Sequence, residues 1–203
     1  MKIIETRMAP NPRRVRIFLK EKGIEIPYEQ ISIMEDEHKS EDFTKRNPGQ
    51  RVPVLVLDDG TYIAETVAIC RYFEELQPSP ALFGTGPLER AIVEMWNRRM
   101  EHGLFFHVAQ HFRHLNPNMA GLEVPQVKEW GEANAPKAVE CMEILDAQLA
   151  NSAYVAGANY SIADITAMVA IDFLKPAQLN VPENLTNIAR WHEELSARPS
   201  AEA

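Results

Sequence analysis

Apolar and polar positions in the first 76 residues switch repeatedly between a period of two and a period near 3.6. Lys2 to Thr6, Glu29 to Ile33, Val54 to Leu57 and Thr61 to Ala64 read as short strands, with Ile31 and Ile33 on one face of the second. Val15, Phe18 and Leu19 form a helical stripe that Gly23 is placed to end, and Asn11 before Pro12 has the form of an N-cap followed by proline at the first helical position. Ser40 stands as the N-cap of a helix over Glu41 to Arg46. Asp58-Asp59-Gly60 folds the third strand onto the fourth as a hairpin, and a helix from Thr66 to Leu76 follows at once. The order is β-α-β-α-β-β-α. A right-handed crossover makes the first two strands parallel neighbours, and the hairpin adds an antiparallel edge.

Gln77-Pro78-Ser79-Pro80 breaks the pattern, and no strand follows it. Residues 77–86 are the expected linker between a first domain, 1–76, and an all-helical second, 87–203. A long helix is predicted from Pro87 to Leu115, with Ile92, Met95, Trp96 and Met100 inward, and another from Val124 to Leu149, with Ala138, Met142, Leu145 and Leu149 inward. Ile162 to Phe173 is apolar nearly all round and so belongs at the centre. Its buried end needs Ser161 and Asp164 as a capping box. The fold class is α/β plus all-α, an N-terminal α/β domain followed by a C-terminal helical bundle.

Composition narrows the functions. With 45% apolar residues in 203 the chain buries a sizeable core, and a formal net charge of −8 argues against a nucleic-acid surface. No apolar run approaches the roughly 20 residues that cross a bilayer. Met1 leads straight into a strand, leaving no room for a signal peptide, so a cytoplasmic protein is expected. Cys70 and Cys141 form neither a CxxC pair nor a metal-ligand spacing, and Cys70 lies among core residues.

The run Asn47-Pro48-Gly49, Val52-Pro53-Val54-Leu55, Asp59-Gly60 and Ile63-x-Glu65-Thr66-x-Ala68-Ile69 resembles the glutathione-binding half of a cytosolic glutathione S-transferase. The Ser161/Asp164 box behind Gly157 resembles that family's helical domain. The resemblance implies a thioredoxin-like domain followed by a helical bundle, with glutathione as co-substrate and no metal. It implies that Pro53 is cis, that the Val52 main chain pairs with the cysteinyl unit, and that Glu65 and Thr66 hold the γ-glutamyl end. By family position, His38 and Arg51 hold the glycine carboxylate. A homodimer and a small-molecule electrophile or disulfide are implied as partners, with Met8, Met100, Phe105 and His107 as the second-substrate pocket. Apolar residues at such spacing are also what a core requires.

Chemistry with glutathione needs a thiolate, which a donor aimed at sulfur and the amino end of a helix both favour. Aligned on Arg13 to Phe18, the position of the family's serine falls on Ala9, and no tyrosine, serine or cysteine stands between Met8 and Arg14. What remains is Asn11, either a donor to sulfur or a plain helix cap. The loop resembles that of the bacterial Nu class, which makes glutathione-dependent disulfide reduction or peroxidase chemistry the alternative to conjugation; a non-catalytic binding or regulatory relative is another. Arg13, Arg14 and Arg16 oppose the macrodipole of a helix starting at Pro12, pointing either to an anionic ligand or to a solvated face with surface carboxylates. His107, His111 and His114 share a helix face, more suited to a cleft or wet surface than to a metal, since no carboxylate completes a ligand motif.

Overall fold

A computed structural model describes residues 1–203, and the chain divides into two compact units, Met1–Ala81 with Pro199–Ala203, and Leu82–Arg198. The first unit holds a four-stranded sheet in the order β2-β1-β3-β4. Strand β1 (Lys2–Glu5) pairs parallel with β2 (Tyr28–Gln30) and antiparallel with β3 (Val54–Val56), which pairs antiparallel with β4 (Tyr62–Ala64). Side chains alternate across the sheet. Ile4 and Val54 therefore face one way, where they cluster with Phe43 of α2 (Glu41–Arg46). Ile3 and Leu55 face the other and are fully buried, on the side closed by α1 (Pro10–Lys22) and α3 (Thr66–Leu76), which pack together. Lys22, buried at the end of α1, reaches Glu74 at 2.5 Å and the Gln77 carbonyl at 2.8 Å, and also contacts the Pro80 carbonyl. One ammonium thus ties the end of α1 to the end of α3 and the segment after it.

Three boundaries in this unit differ from expectation. Helix α1 begins two residues early: Ala9 is the N-cap, without a side-chain cap bond, and Pro10 is the first helical residue. Asn11 is therefore not the cap. Pro10 and Pro12 carry no N–H, so two of the donors that a first turn leaves unpaired do not exist. Strand β2 ends before Ile31, because Ser32 closes a turn with Glu37, its N–H donating to Glu37 Oε2 at 2.6 Å while its carbonyl accepts from Glu37 N–H at 3.1 Å. In the hairpin, Gly60 takes φ +85°, a conformation that favours glycine, and its N–H reaches the Leu57 carbonyl at 3.1 Å, trimming both strands by a residue.

The second unit is built around α7 (Ile162–Leu174), whose residues from Ile162 to Ile171 are all buried. Each such Ile or Val side chain contributes about 1.5–3 kcal/mol through burial. The capping box is present: Asp164 Oδ2 accepts from the Ser161 N–H at 3.0 Å and hydroxyl at 3.1 Å. Asp164 Oδ1 accepts from the Val155 N–H at 2.8 Å and from Trp191 Nε1 of α8 (Thr186–Ser196) at 3.0 Å. The long helix is three pieces, α4 (Gly86–Arg98), a π-helical stretch (Arg99–Phe105) and α5 (Phe106–Leu115). Wider π turns shift the phase of the apolar stripe. The inward residues are Val93, Trp96, Asn97, Met100, Leu104 and Phe105, while Met95 is exposed. Gly103 allows a close approach to α6 (Lys128–Leu149): a Cβ there would lie 3.1 Å from Cys141 Sγ. Helix α6 starts four residues later than expected, because the stretch before it is held by α5. Val127 N–H donates to His114 Nδ1 at 3.0 Å, and Gln126 Nε2 donates to the Arg113 and Asn116 carbonyls, each at 2.8 Å. No helix is long and apolar enough to cross a membrane.

Candidate active site

Strand register brings three segments of the first unit to one end of the sheet. Val54 pairs with Ile4 on one side and Ala64 on the other. Two residues beyond Ile4 stands Thr6, opening the loop into α1; two before Val54 stands Val52; directly after Ala64 stand Glu65 and Thr66. An antiparallel ladder places these three departures side by side. The Val52–Pro53 bond is cis, and the Val52 main chain takes part in none of the chain's own backbone bonds.

Glu65 holds φ +67° and ψ 120° as the residue before α3, an unfavourable backbone state for a non-glycine side chain that costs on the order of 1–3 kcal/mol. Thr66 is the first helical residue, not the cap, and is buried at 7% exposure. The first turn of α3 leaves its N–H groups without helical partners, as any first turn does. An exposed carboxylate, a hydroxyl and these donors make a place for a zwitterionic α-amino acid group.

His38 is buried at 4% exposure, not a solvated loop residue, and its Nδ1 has no partner. Burial first, then the charge of Lys39, hold its imidazole below the ordinary histidine range; Arg51 pushes the same way, which places the two cations within electrostatic reach. The loop bearing Arg51 is fixed by Asn47, whose Oδ1 accepts from Gly49 N–H at 3.0 Å and whose Nδ2 donates to the Arg51 carbonyl at 2.8 Å. This Asx turn, together with Gln50 at φ +50°, is a structural role that sequence reasoning did not assign. The signal was there in Asn47-Pro48-Gly49.

At the start of α1, Arg14 Nη1 lies 3.4 Å from Asn11 Oδ1. A guanidinium only donates, so it turns the amide oxygen inward and leaves the NH2 group as the free end. Arg14 is 2% exposed and orients a candidate functional residue, a role missed in the sequence. Arg16 is paired with Glu5 at 2.6 Å, and Arg13 Nη2 donates to the Ala201 carbonyl at 2.9 Å. With the helix starting at Pro10, Arg13 closes the first turn and Arg14 and Arg16 lie beyond it, so opposition to the dipole does not mark the three as a ligand site. They are structural cations with acceptors of their own.

The second-substrate candidates are divided between the two units, Met8 in the first and Met100, Phe105 and His107 in the second. Met8 is 91% exposed in the first unit. Met100, at 1%, and Phe105, edge-on to Phe173, are core residues of the helical unit, because the π-helical stretch turns both inward. Each of the three histidines uses Nδ1 to bond α6 or the residue before it. His107 Nδ1 is 2.6 Å from Asn134 Oδ1, His111 Nδ1 is 3.0 Å from the Gly131 carbonyl, and His114 Nδ1 accepts from Val127 N–H. Since Asn134 Nδ2 donates to the Trp130 carbonyl at 2.7 Å, His107 Nδ1 is the donor in its bond to Asn134 Oδ1.

These features define a thioredoxin-like sheet that presents an open main-chain edge beside two helix amino ends, followed by a helical unit. The family model "Glutathione S-transferase, N-terminal domain" matches residues 9–76, and "Glutathione S-transferase, C-terminal domain" matches residues 95–199. The chain belongs to the glutathione S-transferase family. It is 38% identical over 203 residues to glutathione S-transferase 2 of Saccharomyces cerevisiae, covering 98% of this chain and 87% of that protein. The crystal structure of Gtt2 from the same yeast superposes with a TM-score of 0.96 at 38% identity over 100% of this chain and 99% of that one. A glutathione S-transferase domain-containing protein of Marinobacter aquaeolei VT8 gives the same TM-score, 0.96, at 38% identity over 98% and 99%.

Proposed function

We propose that this chain binds glutathione along its first unit and activates the thiol for transfer to a small electrophile, with Asn11 as the donor to sulfur. The tripeptide runs antiparallel to Val52, its γ-glutamyl end on Glu65 and Thr66 and its glycine carboxylate on His38 and Arg51. Its sulfur then lies over the start of α1, where the Asn11 amide and the helix end favour the thiolate. Supporting this is the register that sets Thr6, Val52 and Glu65 side by side, with the Asn11 NH2 turned free by Arg14. Ala9 offers no hydroxyl or thiol, so the Asn11 amide and the amino end of α1 are left to favour the thiolate, with binding supplying its orientation. Conjugation is the leading reading because the yeast relative, matched over 98% of this chain, is named glutathione S-transferase 2. A cytoplasmic homodimer is the assembly proposed.

Calorimetric titration with glutathione, followed by turnover with an activated aryl halide and with a glutathionylated disulfide, tests this directly. Saturable binding and a conjugate are expected. Absence of binding removes the enzyme reading, and turnover of the disulfide alone moves the function to reduction.

A further inference from the structure

The segment leading into the proposed thiol site is held neither by the sheet ladder, which stops at Glu5, nor by a side-chain cap on α1. It is gripped at Arg7. The Arg7 N–H donates to Gln30 Oε1 at 2.9 Å, and the Arg7 carbonyl accepts from Arg16 Nη2 at 2.8 Å. Both grips return to one carboxylate: Glu5 Oε1 accepts from Gln30 Nε2 at 2.8 Å, and Glu5 Oε2 accepts from Arg16 Nη1 at 2.6 Å. One residue earlier, Thr6 Oγ1 donates to the Ile31 carbonyl at 2.6 Å.

Glu5 is 1% exposed and Arg16 8%. Burying such a pair brings little net stability, since the cost of removing two charges from water offsets most of their attraction, and well-packed apolar residues do as well. What the pair supplies that apolar residues cannot is direction. A carboxylate only accepts and a guanidinium only donates, so Gln30 must turn its NH2 to Glu5 and its oxygen to Arg7; a flipped amide would set oxygen against oxygen. Glu5 thereby fixes an acceptor for the Arg7 N–H and a donor for the Arg7 carbonyl at once. Arg7 stands four residues before Asn11.

We propose that Glu5, Arg16 and Gln30 are positioning residues for thiol activation, clamping Arg7 so that the start of α1 and the Asn11 amide meet the sulfur. The inference rests on the reading of Asn11 given above. Stabilising a thiolate depends on donor distances held to tenths of an ångström, whereas the groups proposed to hold the two ends of the tripeptide lie outside the clamp.

The test uses Gln30→Met, which keeps the bulk of an exposed side chain and removes both of its bonds, so folding is not at issue. Thiolate absorbance of bound glutathione against pH, kcat and KM with an activated aryl halide, and Tm are measured for parent and variant. The bound thiol pKa is expected to rise by about one unit and kcat near neutrality to fall roughly tenfold, with KM for glutathione within about twofold. The double exchange Glu5→Gln with Gln30→Glu restores one carboxylate and one amide, and should bring the titration back toward the parent. An unchanged thiol titration and kcat in Gln30→Met, whatever happens to Tm, overturns the proposal. A parent enzyme whose bound thiol is not acidified defeats the Asn11 reading itself and takes this inference with it; because that is read on the parent, the two failures are distinct.

Discussion

At the scale of single residues, the helix cap and the sulfur donor come apart. Ala9 is the N-cap of α1, so Asn11→Ala removes no cap, and its stability cost is the one acceptor it takes from buried Arg14, about 1 kcal/mol. A hydrogen bond to a charged acceptor is worth about 1.5–3 kcal/mol, or one to two pKa units. Thiolate absorbance of bound glutathione should therefore titrate one to two units higher in Asn11→Ala, with kcat down roughly tenfold or more below that pKa; an unmoved titration leaves Asn11 without a catalytic role. His38 supplies a second handle. Its imidazole is held below the ordinary value near 6.5, so it is neutral at neutral pH, and a docked carboxylate would raise its pKa. Binding then takes up a proton: affinity is greatest below the pKa of free His38 and falls as pH rises through that of the complex. The bound thiol, acidified by the same site, pulls affinity the other way with pH but equally in parent and His38→Gln, so the His38 slope is read as the difference between their calorimetric affinities from pH 5 to about 7.5.

At the scale of elements, the fold was legible wherever hydrophobic period and punctuation agreed. Helices over Glu41–Arg46 and Thr66–Leu76 lie where expected, and the capping box at Ser161 and Asp164 marks α7 as read. Boundaries failed where a side chain from elsewhere decided them: Glu37 for the end of β2, and His114 and Gln126 for the start of α6. The first proline, not the asparagine, opens α1, since either Pro10 or Pro12 satisfies the same rule. Helix α8 was not read, although Ile188, Trp191 and Leu195 give a buried stripe. The main-chain parts of the candidate site and the local turn of Asn47 were visible as motif, whereas Glu5 acts through Arg16 and Gln30, three-dimensional partners that spacing does not reveal. Asp164 shows what such partners cost. Burial pushes its carboxyl up to about 6 even against its four donors. Because the folded value lies above the unfolded one near 3.9, this group's contribution is fully present below pH 4 and is lost as pH rises to about 6. Subtracting urea stabilities of Asp164→Asn from those of the parent at pH 4, 5 and 6.5 should expose that decline, other carboxylates cancelling. Asp164→Ala, which strands the Trp191, Val155 and Ser161 donors, should lose about 3–5 kcal/mol.

At the scale of the whole molecule, the chain leaves the first unit at Ala81 and re-enters it at Pro199. The returning segment is bonded to α1, Arg13 donating to the Ala201 carbonyl at 2.9 Å and the Ser200 hydroxyl donating to Glu21. Unfolding the helical unit alone would thus leave both of its covalent ends fixed to a folded body, whereas unfolding the first unit frees them. Every residue proposed to bind glutathione lies in the first unit. All three tryptophans, Trp96, Trp130 and Trp191, lie in the second. Ligand at about 100 times its Kd adds about 2.7 kcal/mol to whatever unfolds with the site. If the doubly tethered units unfold together, tryptophan fluorescence and far-ultraviolet circular dichroism should report one urea transition, and glutathione should move both by the same amount although no tryptophan is near the ligand's proposed contacts in sequence. A fluorescence midpoint that stays put while the dichroism shifts would show instead that the helical unit melts on its own, and that binding energy gained on the first unit does not reach it.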